Sequence, residues 1–287
     1  MAIILDGKTT AASLNDATKI QADKLTAQGI QPGIAVILVG EDPASQIYTR
    51  NKHRKAEKLG MKSVLIELPE TVSQDEVINE VEKLNQDQSI HAILVQSPLP
   101  DHIDATTVTN SILPSKDVDG FNPTNLGKLY GRQPGNYPVA CTPKGIMTLL
   151  KQYDITLAGK NVVVIGRSVL VGRPVAALMI NQNATVTLAG RFTQNLKALA
   201  KTADILVVAT GMPALISGQD IKPGATVIDV GINRGADGKL TGDVDFETAS
   251  QVAGAITPVP GGVGPMTIAT LMQQTVELTQ WSLNNGK

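Results

Sequence analysis

Residues 161–174 read Asn-Val-Val-Val-Ile-Gly-Arg-Ser-Val-Leu-Val-Gly-Arg-Pro. Residues 162–165 are apolar and β-branched, which is typical of a buried parallel strand. A tight turn is predicted at Gly166, followed by a helix that Gly172 and Pro174 help to start. A glycine at such a turn lets the backbone approach a diphosphate, whose charge the free N–H groups at the helix start stabilise. The spacing G-x-S-x-x-x-G is one residue longer than the usual dinucleotide fingerprint, so an ordinary strand–turn–helix is the alternative.

Length and composition exclude several classes of protein. The 287 residues suffice for two α/β domains with separate cores, and a net charge of −1 gives no reason to expect nucleic acid or an anionic membrane as partner. The apolar run at 2–5 is too short for a signal peptide, and no window approaches the ~20 apolar residues of a membrane span. The single cysteine, Cys141, excludes an internal disulfide, and three scattered histidines give no metal-ligand cluster. The sequence therefore predicts a cytoplasmic protein without a metal site.

Strands and helices alternate at βαβ spacing along the first 120 residues. Strands are predicted at 34–39, 64–68 and 90–95, and helices at 8–28, 43–59 and 74–85. Asp42 is expected to cap the second helix, with Pro43 at its first position, and Ser73 and Glu76 to form a capping box before the third. The Pro/Gly-rich segment 114–138 is interpreted as the connection between domains.

A second parallel sheet is predicted in the carboxyl half. Its further strands are expected at 185–189, 204–209 and 226–230, and Thr142-Pro143 is expected to cap a helix that ends near Tyr153. Residues 233–244 are interpreted as a small hairpin or loop of unassigned role, and an amphipathic helix follows the loop 257–265. The predicted fold class is α/β, with an amino-terminal α/β substrate domain and a carboxyl-terminal Rossmann-type, doubly wound parallel sheet.

Ligands of α/β sheets collect beyond the carboxyl ends of the strands, which places one candidate site at 40–45 and 96–100. On the intervening helix, Tyr48 and Lys52 share a face because they lie four residues apart. A helical wheel places Lys52 within an apolar stripe formed by Ala44, Tyr48, Ala56 and Leu59. A lysine held against apolar surface has a lowered pKa and can act as an acid or base near neutrality. Lys55 lies on the same stripe, and a solvated basic face is the alternative.

Three other stretches are candidates for ligand contact. Gln96 ends an apolar strand, so its amide can contact a ligand or a lysine, or cap the following turn. Asp117 and Asp119 flank Val118 in Lys-Asp-Val-Asp-Gly, which offers two carboxylates or a plain solvated turn. The loop 258–265 contains three glycines and three prolines, and its backbone amides can lie against a flat ligand or form a structural corner.

The end of the second Rossmann strand bears on the cofactor. In NAD-binding folds this strand normally ends in Asp or Glu, which holds the ribose 2′-hydroxyl. Here Gly190 and Arg191 follow the strand, and no acid is present. Arg191, together with Arg167 in the glycine turn, is predicted to meet a 2′-phosphate, which favours NADP over NAD. A surface charge is the alternative for Arg191.

Several longer motifs together carry a family resemblance. They are Ser45-x-x-Tyr48-x-x-x-Lys52, Val95-Gln96-x-Pro98-Leu99-Pro100, Lys116-Asp-Val-Asp-Gly120, Cys141-Thr-Pro-Lys-Gly145, Gly166-Arg-Ser-x-x-Val-Gly172-x-Pro174, Asp229-Val-Gly-Ile-Asn233 and Pro258-Val-Pro-Gly-Gly-Val-Gly-Pro-Met-Thr267. The chain resembles the bifunctional methylenetetrahydrofolate dehydrogenase/methenyltetrahydrofolate cyclohydrolase (FolD) family nearly end to end. Two departures are Ser97, where the family often has Leu, and Ala189-Gly190-Arg191, where it often has Cys-His-Ser. The second bears on the 2′-phosphate contact.

The resemblance implies NADP-dependent oxidation of 5,10-methylenetetrahydrofolate to the methenyl form, followed by hydrolysis to 10-formyltetrahydrofolate. It implies that Lys52 is the catalytic lysine, that Tyr48 stacks on the folate, that Gln96 hydrogen-bonds Lys52 and that Asp119 binds the pterin edge. The implied folate site lies in a cleft between the domains and is completed by Val95, Pro260, Gly261, Gly262, Val263 and Gly264. The implied NADP contacts are Gly166, Arg167, Ser168, Arg191 and Ile232.

The resemblance also implies a domain plan and partners. Residues 1–140, completed by the helix at 266–287, form the catalytic folate-binding domain, and residues 141–265 form the NADP-binding domain. Tetrahydrofolate one-carbon derivatives are the expected partners, together with a second copy of the chain, in the one-carbon metabolism that serves purine, histidine and methionine synthesis. A shikimate-dehydrogenase-like NADP oxidoreductase and a non-catalytic dinucleotide-binding module are the alternatives. Tyr48 and the closing loop favour a flat folate over a polar ring acid.

Overall fold

The computed structural model describes residues 2–235 and 238–284. The chain divides into two units, each assembled from separate stretches of sequence. The three-stranded unit comprises Ser13–Cys141 and 271–284, and the six-stranded unit comprises 2–12 and Thr142–Thr270. Within the described residues, no helix is both long and apolar enough to cross a membrane.

The elements alternate along the chain as expected for an α/β protein. The strands are β1 (Ile3–Ile4), β2 (Gly33–Val39), β3 (Lys62–Leu68), β4 (Ala92–Val95), β5 (Asn161–Ile165), β6 (Thr185–Ala189), β7 (Ile205–Val208), β8 (Thr226–Asp229), β9 (Asn233–Arg234), β10 (Leu240–Thr241) and β11 (Ala255–Ile256). The α-helices are α1 (Gly7–Ala27), α2 (Pro43–Lys58), α3 (Gln74–Gln86), α4 (Ala105–Ser111), α5 (Pro123–Tyr130), α6 (Cys141–Gln152), α7 (Gly172–Asn181), α8 (Leu196–Ala200), α9 (Phe246–Ala249) and α10 (Val263–Asn284).

The sheet of the three-stranded unit is parallel, with the order β3-β2-β4. All residues of the central strand β2 are buried, and its successive side chains point to opposite faces. Ile34 and Val36 pack in one cluster with Ala56 of α2, whereas Ala35 and Ile37 pack in a second cluster with residues of α3 and α4. Both faces are therefore covered, which explains why the strands read as continuous apolar runs.

The predicted helix starts in this unit are confirmed. The Asp42 carboxylate accepts a hydrogen bond from the Ser45 N–H at 2.7 Å, and Pro43 is the first residue of α2. The capping box before α3 is complete, because the Ser73 N–H donates to the Glu76 carboxylate at 2.9 Å and the Glu76 N–H donates to the Ser73 hydroxyl at 3.2 Å.

The interpretation of residues 114–138 as a connection between domains is wrong. These residues lie inside the three-stranded unit and contain α5. The Asn122 side chain accepts a hydrogen bond from the Thr124 N–H at 3.0 Å, and Pro123 starts the helix. The Pro and Asn residues therefore cap a short helix. Similarly, α6 begins at Cys141, so Thr142 lies within its first turn.

The sheet of the six-stranded unit confirms the predicted Rossmann-type, doubly wound architecture. Its order is β1-β11-β8-β7-β5-β6, and every pair is parallel. The strand order reverses at β5, which pairs with β6 on one side and with β7 on the other. Because ligands of open α/β sheets bind where the order reverses, the position after β5 is the expected nucleotide site.

The contacts of β1 differ from the prediction that the amino-terminal domain starts at residue 1. Ile3 and Ile4 pair with Ala255 and Ile256 of β11, so residues 2–12 belong with the six-stranded unit. In residues 233–244, β9 and β10 form a small antiparallel pair, and Ala236 and Asp237 of that segment lie outside the described residues.

Candidate active site

The side chain of Lys52 is buried in the three-stranded unit, with 6% of the residue's surface exposed. Its amino group donates a hydrogen bond to Oε1 of Gln96 at 2.9 Å and lies 4.6 Å from the centroid of the Tyr48 ring. The neighbouring Lys55 is only half-buried. The structure thus distinguishes two lysines that the helical pattern could not separate.

The buried face of α2 differs in part from the predicted apolar stripe. Lys52 shares this face with Ser45, Thr49 and Ala56, whereas Ala44 is exposed. Ser45 and Thr49 are small, and a wheel drawn from apolar residues alone overlooks them. On α2 the lysine therefore shares its buried face with small side chains, and its amino group lies beside the Tyr48 ring.

Gln96 is held in a single orientation by its neighbours. Its N–H donates to the Ile37 carbonyl at 2.8 Å, which continues the β2–β4 ladder. Its side-chain Nε2 donates to the Ser97 carbonyl at 2.6 Å. Since the amide nitrogen is engaged there, the amide oxygen is the atom left to accept the hydrogen bond of Lys52.

Asp119 is brought to the same sheet edge by an extra rung beside β4. The Ile93 N–H donates to the Lys116 carbonyl at 2.7 Å, and the Val118 N–H donates to the Ile93 carbonyl at 3.4 Å. The Asp119 carboxylate interacts electrostatically with Lys52 and accepts a hydrogen bond from the Cys141 side chain. Cys141 was not predicted to take part, because a lone cysteine gives no spacing signal.

The two carboxylates of residues 117 and 119 have different roles. Asp117 is 1% exposed and accepts hydrogen bonds from the N–H groups of Gly120 at 3.0 Å and Asn122 at 2.8 Å. It also accepts one from Nδ2 of Asn125 at 2.9 Å. Asp117 therefore fixes the loop, and Asp119 is the carboxylate near the lysine.

A buried glutamine of α10 supports the same loop. Nε2 of Gln274 donates to the carbonyls of Val118 at 2.5 Å and Val139 at 2.9 Å. Its Oε1 accepts the Val139 N–H at 3.3 Å. Gln274 lies in a mostly apolar stretch of sequence, and nothing in that stretch predicts this role.

Burial shifts the pKa values of the three ionisable groups in this cluster. Desolvation lowers the pKa of Lys52, and the negative charges of Asp119 and Cys141 oppose that shift. Desolvation raises the pKa of Asp119 to about 6, although the charge of Lys52 acts in the opposite direction. Desolvation and the Asp119 charge raise the pKa of Tyr48 to about 12, even though 36% of the residue's surface is exposed. The neutral amine of Lys52 is therefore more favoured in this site than it is in water, and the neighbouring Tyr48 phenol stays neutral.

Backbone hydrogen bonds join the glycine turn after β5 to both neighbouring strands. The Gly166 N–H donates to the Ala189 carbonyl at 3.0 Å, and the Ala209 N–H donates to the Ile165 carbonyl at 2.7 Å. Gly166 has φ +123°, and a Cβ there would collide with the Ala209 carbonyl. A Cβ on Gly172 would collide with the Gly166 carbonyl. Both positions therefore require glycine, and α7 begins where a diphosphate would meet its N-terminus.

The predicted 2′-phosphate residues come together beside this turn. Ser168 and Arg167 are exposed on it, and Arg191 is exposed after β6. The guanidinium carbons of Arg191 and Arg167 lie 4.6 Å and 5.9 Å from the centroid of the Phe192 ring. Phe192 was not predicted, because a single aromatic residue in a loop carries no periodic signal.

The closing loop lines a cavity of about 220 Å³ in the six-stranded unit. Among the predicted residues, the cavity is lined by Ile232, Pro260, Gly261, Gly262, Val263 and Gly264. Lys8 joins them, and its N–H donates to the Gly261 carbonyl at 3.1 Å. The structure brings Val95, Tyr48, Lys52, Gln96 and Asp119 together in the three-stranded unit and holds the closing loop in the six-stranded unit.

Asp229 holds the segment that carries Ile232. Its carboxylate accepts hydrogen bonds from the N–H groups of Gly231, Asp243 and Val244, each at 2.9 Å. Asp243 in turn accepts the Gly211 N–H at 2.9 Å. Burial raises the pKa of Asp229 to about 6, and these backbone donors oppose the shift. The motif residue Asp229 is thus an anchor of the loop.

Two family models together match most of the chain. The model described as "Tetrahydrofolate dehydrogenase/cyclohydrolase, catalytic domain" matches residues 5–119, and the model described as "Tetrahydrofolate dehydrogenase/cyclohydrolase, NAD(P)-binding domain" matches residues 140–283. The chain belongs to the tetrahydrofolate dehydrogenase/cyclohydrolase family. The resemblance drawn from the sequence motifs is confirmed, and the lysine cluster falls in the catalytic part while the glycine turn falls in the NAD(P)-binding part.

Members of this family are similar to the chain over nearly its whole length. A relative from Lactiplantibacillus plantarum named "Bifunctional protein FolD" is 64% identical over 282 residues, which cover 98% of this chain and 99% of the relative. A crystal structure of a bifunctional FolD enzyme from Campylobacter jejuni has a TM-score of 0.97 at 45% identity and covers 98% of this chain and 100% of that one. The FolD structure from Trypanosoma brucei, complexed with NADP cofactor and inhibitor, has a TM-score of 0.94 at 37% identity and covers 98% of each chain.

Proposed function

We propose that this protein catalyses both reactions of its family: the NADP-dependent oxidation of 5,10-methylenetetrahydrofolate and the hydrolysis of the resulting 5,10-methenyltetrahydrofolate to 10-formyltetrahydrofolate. The relatives named as bifunctional enzymes support this function. The observation that carries it is the buried amino group of Lys52, held 2.9 Å from Oε1 of Gln96.

The glycine turn fits a dinucleotide. Gly166 and Gly172 allow the backbone of this turn to pass close to the carbonyls of Ala209 and Gly166, and the N-terminus of α7 follows directly. We assign the diphosphate to this turn through Gly166 and Ser168, and the 2′-phosphate to Arg167 and Arg191. When bound, NADP supplies a nicotinamide ring that accepts a hydride from the folate methylene group.

The folate residues act through position and charge. We propose that the Tyr48 ring stacks on the flat substrate and that the Asp119 carboxylate accepts hydrogen bonds from the pterin edge. Because the pKa of Asp119 is about 6, this carboxylate is mostly ionised at neutral pH and serves as an acceptor. Val95 and residues 260–264 are proposed as further folate contacts.

Lys52 is the proposed proton carrier of the hydrolysis. The methenyl intermediate is a cation, so a neutral amine beside it avoids the repulsion that an ammonium group would cause. The neutral amine takes a proton from the water that adds to the methenyl carbon. The resulting ammonium group gives that proton to the ring nitrogen as the bond between this nitrogen and the carbon breaks, which restores the amine. The remaining hydroxyl proton passes to solvent as the formyl C=O forms, so the net reaction adds one water and releases one proton.

A substitution of Lys52 tests this role. Lys52→Met is expected to abolish the cyclohydrolase activity while leaving NADP affinity unchanged, because the glycine turn lies in the other unit. Lys55→Met, on the same helix but with a half-buried side chain, is the matched control and is expected to retain hydrolysis. Undiminished hydrolysis by the Lys52 variant refutes the assignment. Oxidation of methylenetetrahydrofolate with NADP and NAD, measured side by side, tests the cofactor.

The assembly and the location of the protein stay predictions. We propose a homodimer formed through the nucleotide-binding units and a cytoplasmic location, with neither nucleic acid nor membrane as partner. Sedimentation of the purified protein tests the assembly: a mass of one chain at working concentration contradicts the dimer.

A further inference from the structure

Phe192 is an exposed aromatic residue that the core of the six-stranded unit does not explain. The residue has 72% of its surface exposed, so it buries too little area to act as a packing anchor. It follows Arg191 directly and lies beside the glycine turn that carries Arg167. Two arginines therefore converge on one exposed ring.

The backbone that carries this ring is held by a tight turn. The segment 190–193 is a tight turn, in which the Thr193 N–H donates to the Gly190 carbonyl at 2.8 Å. The Gly190 N–H donates back to Oγ1 of Thr193 at 3.0 Å. The turn fixes the backbone from which the ring projects. A phenylalanine side chain has only two rotatable torsions, so little freedom is lost when the arginines stack on it.

Both guanidinium groups are within cation–π distance of the ring. The Arg191 guanidinium carbon lies 4.6 Å from the ring centroid, and that of Arg167 lies 5.9 Å away. Gly190 leaves space for the Arg167 stem, because a Cβ there would lie 3.3 Å from Cδ and Nε of Arg167. Without the ring's attraction, two like charges on flexible stems tend to move apart.

Stacking and phosphate binding use different parts of a guanidinium group. The ring attracts its flat face, whereas the N–H donors point outward in its plane and stay available for a phosphate. A phosphate monoester dianion also offsets the repulsion between the two cations. The arrangement is thus suited to a phosphate that Arg167 and Arg191 bind together.

We propose that Phe192 is a positioning residue that sets the preference for NADP over NAD by holding Arg167 and Arg191 ready for the 2′-phosphate. This inference rests on the proposed cofactor and deepens it. Phe192 itself does not bind the phosphate. Its effect is expected in the affinity for 2′-phosphorylated ligands and not in the affinity for ligands that lack this group.

Binding to the folate-free protein tests the proposal without relying on turnover. Calorimetry with adenosine 2′,5′-bisphosphate and with adenosine 5′-monophosphate separates the contribution of the 2′-phosphate. Phe192→Leu is expected to weaken the bisphosphate by roughly fivefold to tenfold and to change the monophosphate by less than about twofold. Phe192→Tyr, which keeps the ring, is expected to retain the preference for the bisphosphate. Phe246→Leu, at a less exposed phenylalanine of the same unit, is the matched control and should leave it unchanged.

The outcomes separate the inference from the proposed function. If the unmodified protein binds both ligands equally, the NADP assignment fails, and the inference fails with it. If the unmodified protein prefers the bisphosphate and Phe192→Leu keeps the same ratio, only the role of Phe192 is overturned. Equal losses for the two ligands in Phe192→Leu mean a structural effect and also overturn it. A thermal unfolding curve for each variant checks the fold.

Discussion

The amino group of Lys52 donates to the amide oxygen of Gln96 across 2.9 Å, so the hydrogen-bond partner of this buried amine is a neutral side chain. A neutral acceptor anchors the amine without supplying the full negative charge that holds a lysine protonated. Asp119 is the nearby anion, and its own pKa is raised to about 6 by burial. The site thereby fixes the position of the amine while burial keeps the pKa of Lys52 below its ordinary value.

Gln96→Glu is expected to raise the pKa of Lys52, because a carboxylate at the position of the amide oxygen stabilises the ammonium form. An opposite charge at this distance shifts a pKa by about 1–3 units, so the pH dependence of hydrolysis should move to higher pH by about that amount. The measurement is the cyclohydrolase rate from pH 6 to 10. Gln86→Glu, at an exposed position in the same unit, is the control, and an unmoved profile in Gln96→Glu contradicts the proposed coupling.

Asp119→Asn is expected to change stability with pH. The folded pKa of Asp119 is about 6 and its reference value is 3.8, so between these pH values the folded chain binds more protons than the unfolded chain. Its contribution to the free energy of unfolding is therefore favourable at low pH and is lost as the pH rises through 6. At pH 7.5 the asparagine variant should be more stable than the unmodified protein, by at most about 3 kcal/mol.

Urea unfolding at pH 4.5 and pH 7.5 checks this expectation. The stability gain of Asp119→Asn should shrink at the lower pH. Asp101→Asn, at an exposed carboxylate, is the control and should unfold like the unmodified protein at both pH values. A gain that grows as the pH falls would show that the sign is wrong.

Gly166→Ala is expected to impair both the fold and NADP binding. Gly166 has φ +123° and no room for a Cβ beside the Ala209 carbonyl, so the turn must move. Gly159 has φ +74° with nothing within 4 Å of an added Cβ, which makes Gly159→Ala the matched control. The control should lose about 1–2 kcal/mol from backbone strain alone. Gly166→Ala should lose more and bind NADP at least about tenfold less tightly, and equal behaviour of the two variants in unfolding and cofactor titration contradicts the argument.

Gln274→Leu is expected to destabilise the loop that carries Asp119. The leucine removes the Nε2 donor from the carbonyls of Val118 and Val139, and Val118 keeps only the weaker hydrogen bond from the Cys141 side chain at 3.4 Å. An unsatisfied buried carbonyl costs about 1–3 kcal/mol. Denaturant unfolding measures the loss. Gln273→Leu is the control, because Oε1 of Gln273 makes no hydrogen bond among residues 2–235 and 238–284. A smaller loss of unfolding free energy for Gln274→Leu than for the control would contradict the proposed role of Gln274 in supporting the loop.

Local signals predicted much of the fold. Apolar runs marked β2 and β5, and Asp42 and Ser73 marked helix starts, because a capping side chain bonds to an N–H two or three residues away. The glycine turn was predictable for the same reason, since its geometry depends on neighbouring residues. Pro123 shows the limit of such signals: a proline after an asparagine marks a helix start as well as a loop.

Features that depend on distant partners could not be predicted. The pairing of β1 with β11 joins strands from opposite ends of the chain, and no sequence periodicity encodes it. The different roles of Asp117 and Asp119 depend on which way each side chain leaves one loop. Phe192 becomes meaningful only when the turn after β5 and the turn after β6 are placed side by side.

The pairing of β1 with β11 has a consequence for biosynthesis. During synthesis, the backbone of Ile3 and Ile4 has no strand to pair with in this sheet until Ala255 and Ile256 have been made. The six-stranded sheet can consequently be completed only after residue 256 has been synthesised. If the gene were divided after codon 140, the first polypeptide would lack residues 271–284 of its own unit, and the second would lack strand β1 of its sheet. The two halves are therefore not independent domains.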